Sequence, residues 1–315
     1  MSPGGGAGPR AANGTGLRVG VDIGGTKIAA GVVDTAGTIV RMEQCATPTA
    51  AEVPDAVRLL VRGLTEGEEV AGVGIGAAGF VAADRRTVIF APNIDWRDEP
   101  LAERVEDGLG VPVVVENDAN AAAWGEFRFG AGRDVDNMLL ITVGTGVGGG
   151  IVHDGRIYRG GHGIAAEVGH VRLVPGGLPC GCGQRGCLEQ YASGSALVRR
   201  AREVLEPDDP TSPVSGHEVT RRAAAGDPEA LAVLADVGHD LGEGIATMAA
   251  VLDPQMVVIG GGVAEAGADF VDPVRRALEL HLTATGRRPG PVVRPALLGN
   301  DAGLVGAADL SVRTD

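Results

Sequence analysis

Aromatic side chains are nearly missing from this chain: two Trp, two Tyr and five Phe in 315 residues. A core so poor in rings must be built from Val, Leu, Ile and Ala, with backbone packed closely at some of the 52 glycines. Long apolar runs are missing too. None approaches the ~18 residues of a membrane span, and the first residues lack the apolar core of a signal peptide. A cytoplasmic protein with no membrane partner is therefore expected. Positive charge is also short: 27 Lys and Arg face 41 Asp and Glu, a formal net charge of −14. A field of that sign repels phosphate backbones and argues against nucleic acid as a partner. It leaves room for a nucleotide held by a few local donors and Mg²⁺. Cysteine is scarce, and in a reducing compartment the four Cys read as metal ligands or free thiols before disulfides. The phosphate-loop pattern G-x-x-x-x-G-K-[ST] does not occur.

What is present is enough for two domains, since single cores stop growing at about 250–300 residues. Hydrophobic residues make up 44% and charged ones 22%, close to globular averages. Residues 1–16, rich in Gly, Pro and Ala, are expected to be a disordered leader, too short for a helix-turn-helix domain. From Leu17 the pattern is β: LRVGVDI, the turn GGTK, IAAGVVD, and TIVRMEQCAT after a turn at Thr35-Ala36-Gly37. Glu52–Leu64 has helical spacing, and Val70–Ile75 and Val111–Val115 are short apolar runs suited to parallel strands. Pro228–Leu252 reads as a helix, followed by the strand and triple-Gly turn of MVVIGGGVA. A shift of 120 residues lays VDIGGTKIAAGVVD over ITVGTGVGGGIVHD without a gap. Strand, Gly turn, strand and a turn at Asp34 or Asp154 coincide, which suggests one design used twice.

Gly74–Gly79 and Gly144–Gly149 both match G-x-G-x-x-G. The dinucleotide fingerprint needs a helix after the turn, and Gly149 leads instead into GIVHDGRIY, a strand and hairpin. The Rossmann reading fails. The turns Gly24-Gly25-Thr26-Lys27 and Gly144-Thr145-Gly146 could instead present backbone N–H groups and Thr hydroxyls to phosphates. Asp22, ending the first strand, would hold Mg²⁺ or its water shell. Gly260-Gly261-Gly262, at a strand–helix junction, would suit the base and ribose. Each alone could be an ordinary tight turn; three in a duplicated fold point to a nucleotide.

Glu116-Asn117-Asp118-Ala119-Asn120-Ala121 follows the apolar strand VPVVV and precedes AAAWGEF, a helix start. A strand-end carboxylate can be a proton acceptor facing a cleft, or simply an N-cap, and local sequence does not separate the two. His170, Cys180, Cys182 and Cys187 form H-x9-C-x-C-x4-C, with Gly between the thiols. One His and three thiolates make a closed tetrahedral site for structural Zn²⁺. Free thiols, or a Cys182–Cys187 disulfide, are the alternatives. Cys45, on a strand, reads as core.

With these residues in view, D-I-G-G-T-K at 22–27 resembles the first phosphate loop of the ROK family of sugar kinases and repressors, and the likeness runs from about Val19 to about Ala308. The resemblance implies a two-lobed actin-like ATPase (ribonuclease H-like) α/β fold with its active site in the interlobe cleft. One lobe would span 17–117 with 300–315, the other 118–299. It implies that Asp118 is the catalytic base and that Asn117 binds sugar. Glu167, His170 and Glu189 would touch sugar hydroxyls, and Gly79 and Asn93 would complete the pocket. The implied reaction is ATP-dependent phosphorylation of a hexose hydroxyl. D-glucose at C6 is favoured because Glu167-Val168-Gly169-His170 and Cys187-Leu188-Glu189-Gln190 resemble the glucose-phosphorylating form. Fructose, mannose, allose, N-acetylglucosamine, N-acetylmannosamine, or polyphosphate as donor, are the variants within the family. A sugar-responsive regulator is the alternative of another class. ROK kinases are commonly dimers or tetramers, so a homo-oligomer is expected.

Overall fold

A computed structural model describes residues 17–209 and 211–313, so the expected leader lies outside the described residues. The chain opens with β1 (Leu17–Ile23), β2 (Lys27–Val33) and β3 (Ile39–Ala46), then α1 (Val53–Thr65) and β4 (Val70–Ala77). Three short strands follow, β5 (Phe80–Val81), β6 (Val88–Ala91) and β7 (Trp96–Glu99), then α2 (Leu101–Leu109), β8 (Val113–Asn117) and α3 (Asp118–Phe129). The second run of strands is β9 (Met138–Val143), β10 (Val147–His153) and β11 (Arg156–Ile157). Four helices come next: α4 (Glu189–Ala192), α5 (Gly194–Val204), α6 (Gly216–Ala224) and the long α7 (Pro228–Leu252). The chain closes with β12 (Met256–Gly260), α8 (Ala268–His281), β13 (Val292–Pro295) and α9 (Ala302–Leu310).

The expected repeat is a repeat of topology. One sheet has the order β3-β2-β1-β4-β8 and another β11-β10-β9-β12-β13. In the first, β1 pairs antiparallel with β2 and parallel with β4, because the Gly24–Thr26 turn makes a hairpin on one side and α1 a crossover on the other. In the second, β12 lies parallel between β9 and β13. β10 starts and ends 120 residues after β2, so the predicted register of the duplication is the observed one.

Contacts divide the chain into two compact units. The first runs to Asp136 and takes in Gly150–Ala165 and the segment from Asn300; the second comprises Asn137–Gly149 and Ala166–Gly299. The sequence-based boundary at 117/118 falls between β8 and α3, inside the first unit. There α3 packs on α9, β4 and β8. Ring-poor as the sequence is, the core of the first unit is aliphatic, with Val19, Val21, Ile23, Ile75, Val115 and their neighbours fully enclosed. Among its buried charged residues is Asp309 of α9, 2% exposed, which accepts from Trp124 Nε1 (2.9 Å) and pairs with Arg18 (3.1 Å) and Arg313 (2.7 Å). Removing one member of such a buried set costs roughly 3–5 kcal/mol, so it fixes α9 against β1 and α3. No described helix is long and apolar enough to cross a membrane.

Candidate functional site

In the first unit, the turn after β1 is closed by Gly24 N–H donating to Lys27 O (3.0 Å) and braced by Thr47 Oγ1 on Gly24 O (2.7 Å). Gly25, Thr26 and Lys27 are exposed, while Asp22 is half-buried at the strand end. Burial pushes the Asp22 carboxyl above its ordinary range, and the charge of Lys27 opposes the shift. A divalent cation beside it would act in the same sense as Lys27. Asn93 lies against this turn, its Cβ 3.3 Å from where a methyl on Gly25 would sit.

The cap of α3 is Asn117 and not Asp118: Asn117 is extended at φ −61° and ψ 141°, and its Oδ1 accepts from Asn120 N–H (3.0 Å). Asp118 is left as the first residue of the helix, where the positive end of the macrodipole favours a carboxylate. Asn117 Nδ2 donates to Asp118 Oδ1 (3.0 Å) and to Gly79 O (3.1 Å), so one amide orients the carboxylate and ties Gly79 to it. The start of α9 meets both acidic residues: a methyl on Gly303 would lie 3.9 Å from Asp22 Oδ1 and 3.8 Å from Asp118 O. Asp22, Asn93, Asn117, Asp118 and Gly79 are thus all placed by the strand ends and loops of one unit.

Beneath them is a buried network that sequence reasoning missed. Glu116, 2% exposed, accepts from Asn120 Nδ2 (3.2 Å) and Arg159 Nε (2.8 Å) and faces Arg85 at 3.6 Å. The one available signal was a charged residue ending an otherwise apolar strand.

In the second unit, the four predicted metal ligands converge. Ligand atoms of His170, Cys180, Cys182 and Cys187 all lie within 4.8 Å of one another. Cys182 and Cys187 are 3.6 Å apart at sulfur, well beyond the ~2.05 Å of a disulfide. Burial, with the hydrogen bonds to Cys182 and Cys180, pushes the Cys187 thiol up to about 12. Thiolate is the ligating form, so a bound cation would expel that proton; the His-and-three-thiol donor set fits Zn²⁺. The two nitrogens of His170 face different groups. Nδ1 is 3.7 Å from Cys180 Sγ, and Nε2 is 3.8 Å from Glu167 Oε2. Burial raises the Glu167 carboxyl, His170 opposing the shift and Glu189 adding to it.

Glu189 joins this cluster to the second Gly turn. Its Oε1 lies 3.9 Å from Cys180 Sγ and its Oε2 accepts from Val147 N–H (3.1 Å). A methyl on Gly146 would fall 2.4 Å from that Oε2, so a side chain there would displace the carboxylate from the turn. The turn is docked on the N-terminus of α5. Gly194 N–H donates to Gly144 O (2.7 Å), and Ser195 Oγ to Thr145 O (2.7 Å).

Gly144 and Thr145 line a cavity of about 830 Å³ together with Gly262, Ser195, Arg199, Arg202 and His217. That volume and its Arg and His lining suit a nucleotide. Two of the three predicted Gly loops therefore meet at one cavity. Within the triple glycine only Gly262 lines it; Gly260 ends β12, and Gly261, at φ 86°, sits against the backbone of Val143. The contribution of α5 and α6 had no local signal, since these helices lie far along the chain from both turns.

This geometry can be set beside known proteins. Residues 18–314 match the ROK family. The chain is 49% identical over 313 residues to a glucokinase of Streptomyces coelicolor, covering 95% of this chain and 99% of that one. It is 35% identical over 293 residues to an N-acetylmannosamine kinase of Vibrio cholerae, covering 91% and 96%. Among solved structures, a ROK family glucokinase from Streptomyces griseus, in complex with glucose and AMPPNP, matches with a TM-score of 0.84. Identity to it is 50%, with 94% of this chain and 99% of that one covered. The α/β actin-like fold expected from the sequence is the fold of this chain. With its duplicated sheets, its glycine turns and a family match over nearly every residue, the chain belongs to the ROK family.

Proposed function

We propose that the protein transfers the γ-phosphoryl group of ATP to the C6 hydroxyl of D-glucose, giving glucose 6-phosphate and ADP. The observation that carries this reading is Asp118, a carboxylate relieved of capping by Asn117 and oriented by the Asn117 amide at 3.0 Å. The chain's near-half identity to a bacterial glucokinase supports the choice of sugar.

Asp118 accepts the proton of the C6 hydroxyl as that oxygen attacks the γ-phosphorus and ADP leaves. Most of the rate comes from positioning and from N–H donors aimed at the phosphoryl oxygens. Gly24, Gly25, Thr26 and Lys27, and likewise Gly144, Thr145 and Gly146, are the donors of this reading. Asp22 holds Mg²⁺ or its waters, and the ion, when bound, neutralises phosphate charge. The cavity beside Thr145 and Gly262 takes the base and ribose. Asn93, Asn117, Gly79, Glu167, His170 and Glu189 bind sugar. Carboxylates suit a sugar because each accepts from adjacent hydroxyls in charge-assisted bonds. His170, Cys180, Cys182 and Cys187 hold structural Zn²⁺, which fixes the loop bearing His170 and Glu189 without entering the chemistry. The enzyme works as a cytoplasmic homo-oligomer.

A second acceptor has a specific observation behind it: the 35% identity to an N-acetylmannosamine kinase. A coupled assay of ADP release with Mg²⁺-ATP, run on glucose, mannose, fructose, N-acetylglucosamine and N-acetylmannosamine, separates the two. Glucose should exceed the others by at least ~10-fold in kcat/KM, the scale on which one or two hydroxyl contacts discriminate. A preference for another sugar would move the specificity and keep the mechanism. Silence on all of them from folded, zinc-loaded protein would remove the kinase reading in favour of a sugar-responsive regulator.

A further inference from the structure

The second unit holds another set of converging ligand side chains, and it lies outside the kinase machinery. His239 and Glu243 stand one turn apart on α7, and His281 is the last residue of α8. The imidazole nitrogens and a carboxylate oxygen of the three lie within 4.8 Å of one another. The two rings meet edge to face, centroids 5.3 Å apart at 78°.

The sequence explains why they meet. Gly238 and Gly242, each one residue before a ligand, form a bare stripe on α7. A methyl on Gly242 would fall 2.5 Å from Val274 O and 2.6 Å from Ala277 Cβ, and one on Gly238 would fall 2.9 Å from Pro273 Cβ. Helix α8 therefore packs backbone-close on α7, and the flanking positions 239 and 243 are carried to the end of α8. Residues four apart share a helix face, so His239 and Glu243 offer their ligand atoms to the same point. His281 arrives where the α8 carbonyls leave a negative helix end, which favours a cation.

We propose that His239, Glu243 and His281 form a surface binding site for a divalent transition metal of the Zn²⁺ type, separate from the His170 and cysteine cluster. Two imidazoles and one carboxylate are a recurrent ligand set for such ions. Tetrahedral ligands stand about 3.3 Å apart, so modest side-chain rotation closes the set. A solvent molecule completes the coordination, because His239 and His281 are exposed. The ion pins α8 to α7, whose Gly244 packs on Leu188 beside the sugar-facing Glu189.

The test is metal stoichiometry, independent of kinase activity. Full-length protein is equilibrated with micromolar Zn²⁺ and its bound metal counted, beside His239→Ala, His281→Ala and Glu243→Gln. Wild type should hold one equivalent more than either His variant, with the thiol-bound equivalent unchanged in all. Loss of one ligand should weaken the extra site by more than ~10-fold. Added Zn²⁺ should raise the melting temperature of chelator-treated wild type further than that of His281→Ala, because binding to the folded state alone stabilises it. Equal metal content in wild type and both His variants, or equal thermal shifts, would overturn the proposal. His281→Gln serves as a second variant should the alanine disturb α8.

Discussion

The two glycine turns occupy the same place in the repeat and differ in chemistry. Position by position, at a shift of 120 residues, Asp22 corresponds to Thr142, Gly25 to Thr145 and Lys27 to Val147. The turn in the first unit is charged on both sides, and Lys27 is the only lysine in a chain with 27 Lys and Arg together. The turn in the second unit carries no charge of its own. It borrows an anchor from elsewhere, with Glu189 on Val147 N–H and the α5 N-terminus on its carbonyls. The duplicated hairpin supplies a rigid frame for N–H donors in both places. A charged pair accompanies the turn only in the first, where Asp22 is half-buried at the end of β1 and Lys27 opposes the effect of its burial.

If the first unit carries the chemistry, Asp118→Asn should have the largest effect. A drop in kcat of ~10²–10⁴-fold, with sugar KM little changed, is the signature of a lost general base. Steady-state kinetics at saturating ATP would check it; a variant that loses sugar affinity but keeps turnover would move the base elsewhere. The asymmetry between the turns can be probed with one methyl. Gly146→Ala places a carbon 2.4 Å from Glu189 Oε2, while the nearest atom at Gly24 is Lys27 O at 3.3 Å. Gly146→Ala should raise sugar KM by roughly 10-fold through displacement of Glu189, and Gly24→Ala should act less on it. Equal effects would mean that the Glu189 anchor does not position the sugar. Smallest is Ser193→Ala, which removes the N-cap bond to Ala196 N–H (3.1 Å) from the helix that seats the second turn. About 1 kcal/mol of stability should be lost, read from urea midpoints at unchanged slope.

Much of the fold was legible in the string. Pro228–Leu252 begins with an N-cap Asp227 and a proline at the first position, and the helix has the predicted ends. The cysteine spacing called for convergence, and the ligands do converge. Less of the candidate site was legible. Nothing local decided whether residue 117 or 118 caps α3, since Asn and Asp are both good caps; the choice follows from which side chain reaches Asn120 N–H. The buried Glu116 set with Arg85 and Arg159 depends on partners 31 and 43 residues away. Cavity walls from α5 and α6, and the meeting of His239 with His281, likewise come from helix packing.

By itself, the sequence determined the elements and their order, the repeat, the thiol cluster and the turns that could bind phosphate. These are set by periodicity, glycine and spacing over a few residues, where backbone sterics and short-range hydrogen bonds act. Only the tertiary structure decided which polar groups are buried in networks that hold the frame and which stand at strand ends and cavity walls. That division depends on burial and on contacts between residues far apart in the chain, and both exist only once the helices have closed on the sheets.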